Sequence, residues 1–305
     1  SEKIHHHEGD VRDLAAFKQY MSTVEPDVVI HMAAQALVQA SYIDPVETFY
    51  TNVMGTVHLF EAVHVTPSVK VIINVTTDKC YENKEWNKGY QEQDVLGGYD
   101  PYSNSKACSE LVTAAYRSSY FNPSMLAEHG KAIATARAGN VIGGGDRTKG
   151  RLIPDIIDGF SNKTMVNIRN PNAIRPWQHV LEPLSGYLLL AEKLWEKPEV
   201  YTGAWNFGPY DSDAITVCEV VKYLAEQWHG AQWKIDDKVS MHETACLQLD
   251  ISKAMTVLGW KPRWPLIRTL DSIVLWQQAF MGKDDDILGL TLSQIKDYEI
   301  SCVPK

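Results

Sequence analysis

The chain has 305 residues, 45% hydrophobic and 22% charged, which is the composition of an ordinary globular protein with room for about two domains. A formal charge of −9 without clustered Lys and Arg argues against a nucleic-acid partner. No apolar run approaches the roughly 20 residues of a membrane-spanning helix and no signal-peptide core opens the chain, so no membrane partner and a cytoplasmic location are expected.

From the N-terminus, His5-His6-His7 reads as a polar loop, because consecutive residues on a strand or helix point apart and make a poor metal clamp. The run "DVVIHMA" at 27–33 predicts a strand, and His31 on it reads as a core histidine. A helical stretch at 45–64 follows, then a strand "KVIINVT" at 70–76, a helix after Pro101 and a strand "KAIATARAG" at 131–139. This alternation predicts a doubly wound parallel α/β sheet, in which ligands bind beyond the carboxyl ends of the strands.

After Gly143 the texture turns rich in Gly, Asn and Pro, and then returns to a helix at 182–195 and a strand "AWNFG" at 204–208. An amphipathic helix around 214–228, "ETACLQLD" and "LGWKPRW" suggest a smaller lobe. The expected division is a dinucleotide-binding domain at 1–142 and 178–208, interleaved with a smaller α/β substrate lobe at 143–177 and 209–305. The five cysteines are odd in number and lack a CxxC pair, so no disulfide framework and no metal site is predicted. Cys80 and Cys108 read as buried thiols.

Chemistry concentrates at "VTTDKCY", 75–81, where a strand ends. In "YDPYSNSKACSE" Asp100 serves as N-cap and Pro101 as the first helical residue, which stacks Tyr102 and Lys106 on one helical face. Such a pair by itself is equally an exposed, solvated one. Combined with Thr77 at a strand end, it is equipment for moving a proton at an alcohol, since a tyrosine with a reference pKa of about 10 needs a nearby cation to act as a base.

Thr77, "YSNSK" at 102–106, "HMAAQ" at 31–35, "TNVMGT" at 51–56 and "RAGNVIG" at 137–143 together resemble the extended short-chain dehydrogenase/reductase family. The longer strings "TTDKCY", "GGYDPYSNSKACSE" and "AIRPWQHVLEPLSGYLLLAEKL" are similar to its 4,6-dehydratases of CDP-glucose. The resemblance implies an NAD cofactor, hydride passing from carbon 4 of the sugar to carbon 6, and a nucleotide-sugar substrate. It makes Tyr102 the carbon 4 base with Lys106 and Thr77 beside it, and these two helix residues also face the cofactor. Asp78 would protonate the departing hydroxyl, and Lys79, which falls where dTDP-sugar dehydratases carry Glu, would be the carbon 5 base.

The same resemblance implies that Asp10 meets the adenine and that Ala33, Ala34 and Gln35 line the dinucleotide. It implies substrate contacts from Arg175 and Asn140, with Arg147, Arg151 and His242 as further candidates, although "GGGDRTKG" at 143–150 lacks the family's aromatic after the Asp. A homodimer, or a dimer of dimers, pairing helices near 45–64 and 104–120, is expected on the same ground. A glycine-rich loop G-x-x-G-x-x-G should follow the first strand, which is central in the sheet order 3-2-1-4-5-6. "VIGGGD" lies too late to be it, so the working protein is expected to carry that unit ahead of residue 1. Two other readings stand beside the dehydratase: an epimerase of the same family, which needs no Asp78-Lys79 pair, and a sugar-nucleotide-binding module without cofactor chemistry.

Overall fold

The structure is a computed structural model and describes residues 4–86, 88–236, 247–283 and 285–301. The chain forms two compact units: Ser1–Glu82, Gln93–Arg137 and Tyr187–Trp205 make the first, and Asn83–Glu92, Ala138–Gly186 and Asn206–Lys305 the second.

In the first unit, strands β1 (Val28–His31), β2 (Val71–Val75) and β3 (Ala132–Ala138) lie side by side, followed in the sheet by β4 (Gly203–Phe207). β1 and β2 run parallel with Val28 opposite Val71, and β2 and β3 run parallel with Val71 opposite Ala132. All seven residues of β3 and four of the five of β2 are buried. Burial on both faces is what a parallel sheet between helical layers requires, and it fits the mainly apolar make-up of these segments, in which the buried Asn74, Thr135 and Arg137 are each hydrogen-bonded.

Among the helices of this unit are α1 (Leu14–Val24), α2 (Pro45–Phe49), α3 (Gly55–His64) and α4 (Pro101–Ser119). A π-helical turn, Tyr50–Met54, joins α2 to α3, so the stretch 45–64 is helical throughout as its sequence predicts. Met21 of α1, Leu59, Phe60 and Val63 of α3, Ile72 of β2 and Ile133 of β3 form one apolar cluster with Phe121. The buried Lys131 ammonium donates to the Thr66 and Val69 carbonyls at 2.8 and 3.0 Å, tying the start of β3 to the loop that enters β2.

One side of α4 is polar and still buried. Ser105, Ser109 and Thr113, one turn apart, meet Asn52, Thr56 and Asn74 through hydrogen bonds of 2.8–2.9 Å. These donors and acceptors satisfy one another in place of water, which is the condition for burying them.

The second unit has its own core, built from helices α5 (Leu152–Ser161), α7 (Val217–Glu226) and α8 (Leu266–Met281) over the short parallel pair 166–168 and 233–235. Two further helices are α6 (Leu181–Glu196) and α9 (Ile287–Ile300). α7 opens with a capping box in which Thr216 and Glu219 bond reciprocally. α5 lies where the sequence reads as irregular: Arg151 at its N-cap makes no side-chain cap bond, so the usual start signal is absent, while Pro154 is accommodated in the first turn, where its missing N–H would have no intrahelical acceptor. Helices α8 and α9 are likewise additions to the sequence reading.

Candidate active site

β2 ends at Val75, and the Thr76 N–H still follows the sheet, donating to the Ala136 carbonyl at 2.9 Å. The chain then turns through a single 3₁₀ turn, Asp78–Cys80, with Thr77 as its N-cap. The Thr77 hydroxyl donates to Asp78 Oδ1 at 2.9 Å and accepts from the Lys79 N–H at 3.4 Å. Lys79 Nζ lies 3.5 Å from the same Oδ1. The Asp78 side chain is fully buried, whereas that of Lys79 is 31% exposed. Asp78 Oδ2 is buried with no hydrogen-bond partner among the described residues. A carboxyl held this firmly on one oxygen and left open on the other is suited to exchanging a proton with a ligand.

α4 packs against this turn. Its start is fixed by Asp100, whose carboxylate accepts from the Ser103 N–H at 2.9 Å and the Ser103 hydroxyl at 2.6 Å. Gly98 presses on the same turn so closely that a Cβ there would stand 2.2 Å from the Ser103 carbonyl carbon. Tyr102 and Lys106 follow on one helical face, both buried. Lys106 Nζ donates to the Val75 carbonyl at 3.1 Å, the strand-end oxygen next to Thr76 and Thr77.

Burial pulls the Lys106 ammonium down to about 8, and the negative charge of Glu110 resists that fall. His31 at the end of β1 is buried as its strand position predicts, and burial together with the Lys106 charge holds its imidazole at about 4. Cys80 is a buried thiol pushed well up by burial. Cys108 is half-buried and bonds Asn104 through its Sγ at 3.6 Å.

Four residues that the sequence reading passed over complete this region: Glu110, Arg137, Thr76 and Tyr81. Arg137 Nε and Nη2 fork onto the Glu110 carboxylate at 2.9 and 2.8 Å, and the Thr76 and Thr135 hydroxyls donate to it as well. Arg137 Nη1 donates to the Tyr81 hydroxyl at 2.7 Å. The available signal was spacing, since Glu110 is one turn beyond Lys106 just as Lys106 is one turn beyond Tyr102.

Asp10 carries a carboxylate locked by Arg12, through both the Arg12 N–H and its guanidinium, which lowers it to about 2. Arg12 also pairs with Glu47. Ala33 is exposed and Ala34 half-buried, so both leave backbone accessible. The Gln35 side chain is spent on its own turn and on α2, donating to Leu37 O and Thr48 Oγ1 and accepting from the Leu37 N–H, while its backbone exchanges two bonds with Asn52. Gln35 therefore shapes the loop after β1.

In the second unit Asn140 adopts a left-handed backbone, φ 41°, and its Nδ2 is buried without a hydrogen-bond partner among the described residues. Gln178 Oε1 and His179 Nε2 on the neighbouring strand are unpartnered in the same way. Arg147 stacks on the Phe280 ring at 4.3 Å, Arg151 lies 3.9 Å from Asp146, and Arg175 donates to the Ile174 carbonyl at 3.0 Å. His242 lies outside the described residues.

A family model described as GDP-mannose 4,6 dehydratase matches residues 1–272. The chain is 50% identical over 293 residues to the CDP-glucose 4,6-dehydratase of Salmonella typhimurium, a match covering 96% of this chain and 81% of the relative. It is 26% identical to the UDP-glucose 4-epimerase of Halalkalibacterium halodurans, over 86% of this chain and 79% of that one. Its fold is that of a dTDP-glucose 4,6-dehydratase from Streptomyces venezuelae solved with NAD, with a TM-score of 0.75, 22% identity and coverage of 92% of this chain and 81% of the other.

Proposed function

Because the chain belongs to the GDP-mannose 4,6 dehydratase family, we propose that it is a lyase that converts CDP-glucose to CDP-4-keto-6-deoxyglucose with NAD as a recycled cofactor. The observation that carries this reading is the buried Asp78 carboxyl, open on one oxygen and paired with Lys79, one residue from Thr77. An epimerase has no use for a proton donor and acceptor set apart from its carbonyl chemistry.

The residues present suit a dinucleotide. Asp10 stays ionised as an acceptor, Ala33 and Ala34 admit close backbone approach, and Lys106 has two further N–H donors beyond the one given to Val75. The chemistry that a bound NAD supplies is a temporary place for the hydride between carbon 4 and carbon 6.

This chain's residues move the protons. Thr77 holds the carbon 4 oxygen and Tyr102 removes its proton, with the Lys106 charge stabilising the phenolate. The ketone acidifies the carbon 5 proton, which Lys79 takes while Asp78 protonates the hydroxyl leaving carbon 6. Passing one proton from Lys79 to Asp78 across their 3.5 Å contact turns the ion pair into the neutral base and acid that this step consumes. Asn140, with its orphaned amide, and Arg175 are assigned to the diphosphate, with Arg147 and Arg151 as further contacts on the nucleotide side. We assign cofactor binding to 1–142 and 178–208 and the sugar nucleotide chiefly to 143–177 and 209–305.

The face formed by Pro45, Val46, Phe49, Tyr50, Val53 and Met54 is apolar, with Val46 77% and Tyr50 47% exposed, and it suits a second copy of the chain. A homodimer through this face, acting in cytoplasmic surface-polysaccharide biosynthesis, is the assembly and setting we propose. Sedimentation of Val46→Lys tests the first: a dimer unchanged in the variant refutes that face. Incubation of the protein with CDP-glucose and NAD tests the activity by the appearance of a 4-keto-6-deoxy product. Epimerised sugar without loss of water, or turnover of dTDP-glucose alone, overturns the reading.

A further inference from the structure

A buried ammonium whose shown acceptor is one neutral carbonyl tends to give up its proton, yet Lys106 must be charged to steady a phenolate. Glu110 lies one helical turn farther along α4 on the same face, a spacing of about 6 Å between side-chain origins. Its carboxylate is 4% exposed and takes four donors: Arg137 Nε at 2.9 Å and Thr76 Oγ1 on Oε1, Arg137 Nη2 and Thr135 Oγ1 at 2.8 Å on Oε2. Arg137 is fixed in turn by the Tyr81 hydroxyl at 2.7 Å and by its ring, whose centre is 4.9 Å from the guanidinium carbon. Strand β3, the end of β2 and the turn after it thus all hold one helix-borne charge in place.

We infer that Glu110 is a positioning residue for the reaction, its clamped negative charge keeping the Lys106 ammonium charged and seated on the Val75 carbonyl beside Tyr102. The inference rests on the proposed function for its catalytic consequence, though its electrostatic content stands without a substrate. The groups that act on Lys106 from neighbouring elements are His31 of β1 and Cys80 of the turn. Both are uncharged near neutrality, His31 because burial holds it at about 4 and Cys80 because burial raises its thiol. Arg137 and Arg117 face Glu110, and Asp78 faces Cys80. Glu110 therefore supplies the negative field at Lys106, and Arg137 keeps Glu110 ionised to supply it.

The test is a pH titration of the lysine 15Nζ resonances in the full chain, with Lys106 identified by the signal lost in Lys106→Arg. The wild-type midpoint is expected near 8. In Glu110→Gln it should fall by about one to two pH units, the effect of removing a unit charge roughly 6–10 Å away at an effective dielectric of about 20. Should that variant not fold, E110L/R137M replaces the whole pair by apolar groups, a change that proteins tolerate better than an unpaired buried charge; a smaller fall in the same direction is expected, because the opposing Arg137 charge goes with it. With CDP-glucose, kcat at pH 8 should drop about tenfold with KM unchanged, and the alkaline limb of kcat should move by the same interval as the resonance. A Lys106 midpoint that stays put in both variants overturns the inference and leaves Glu110 a structural tie. A midpoint that moves in a protein that does not turn over CDP-glucose sustains the inference and refutes the substrate reading instead.

Discussion

Each unit buries a glutamate on a helix, and the two stand in opposite states. Glu110 of α4 is pushed up by burial, but the Arg137 guanidinium and the Thr76 and Thr135 hydroxyls together bring it below the usual carboxylate range. Glu182, at the start of α6, is equally buried and accepts the Arg263 and Trp264 N–H groups at 2.9 and 2.7 Å and the Tyr298 hydroxyl at 2.7 Å. Burial wins there and its carboxyl is raised. Neutral donors satisfy a carboxylate without offsetting the loss of water, whereas a forked guanidinium does both. Around Glu182 stand Ser185, Trp260, Trp264 and Tyr298, linked by further hydrogen bonds and ring contacts. That region is built to hold shape, and the region of Glu110 to hold charge.

The sharpest way to break this contrast is at the reacting end of α4. Tyr102→Phe should cut formation of the 4-keto-6-deoxy product by about 10²–10⁴-fold with thermal stability preserved. Glu182→Gln should leave kcat unchanged. A Tyr102→Phe enzyme with wild-type turnover would remove α4 from the chemistry. Next in size, Glu110→Gln takes the carboxylate from the buried Arg137 charge and should cost about 3–5 kcal/mol in denaturant unfolding. A loss below that of Glu182→Gln would reverse the ranking of the two regions.

Asp78→Asn should lower overall turnover by about 10²-fold while oxidation at carbon 4 continues, so that nicotinamide absorbance of the reduced form builds up on mixing. Equal loss of both partial reactions would contradict the division of labour between Asp78 and Tyr102.

What the sequence disclosed follows from how each signal arises. The strands of the sheet are legible because burial on both faces leaves short segments dominated by β-branched and small apolar residues, and the start of α4 because Asp100-Pro101 is a local signal. Thr77, Asp78, Tyr102 and Lys106 were reached through spacing and family resemblance. Glu110 was not, since an acidic residue on a helix ordinarily reads as solvated, and its partners Thr76, Thr135 and Arg137 come from two different strands. Beyond its one-turn spacing from Lys106, nothing local announces that such a carboxylate is inside. The same holds for the polar seam of Ser105, Ser109 and Thr113, which gives α4 little apolar contrast although it is buried. Helix α5 was missed for the opposite reason, a local signal being absent where tertiary packing of Ile153, Ile156 and Phe160 suffices.

The smallest effect is the most diagnostic of the contrast, because its sign differs between the two sites. Glu110 has a folded pKa below its ordinary 4.5, so its stabilisation is present above that value and lost as pH falls through the folded pKa. Glu182 is raised above 4.5, so the native state binds more protons than the unfolded chain just above that pH. Its contribution is complete below 4.5 and is lost as pH rises through the folded pKa. Glu182→Gln, which keeps a carbonyl acceptor for the two N–H groups, should cost about 1 kcal/mol in acid, and that deficit should shrink as pH rises toward neutrality. The deficit of Glu110→Gln should grow over the same range. Denaturant unfolding of both variants across the acid range measures the two slopes, and slopes of the same sign would mean that Arg137 does not set the two carboxylates apart.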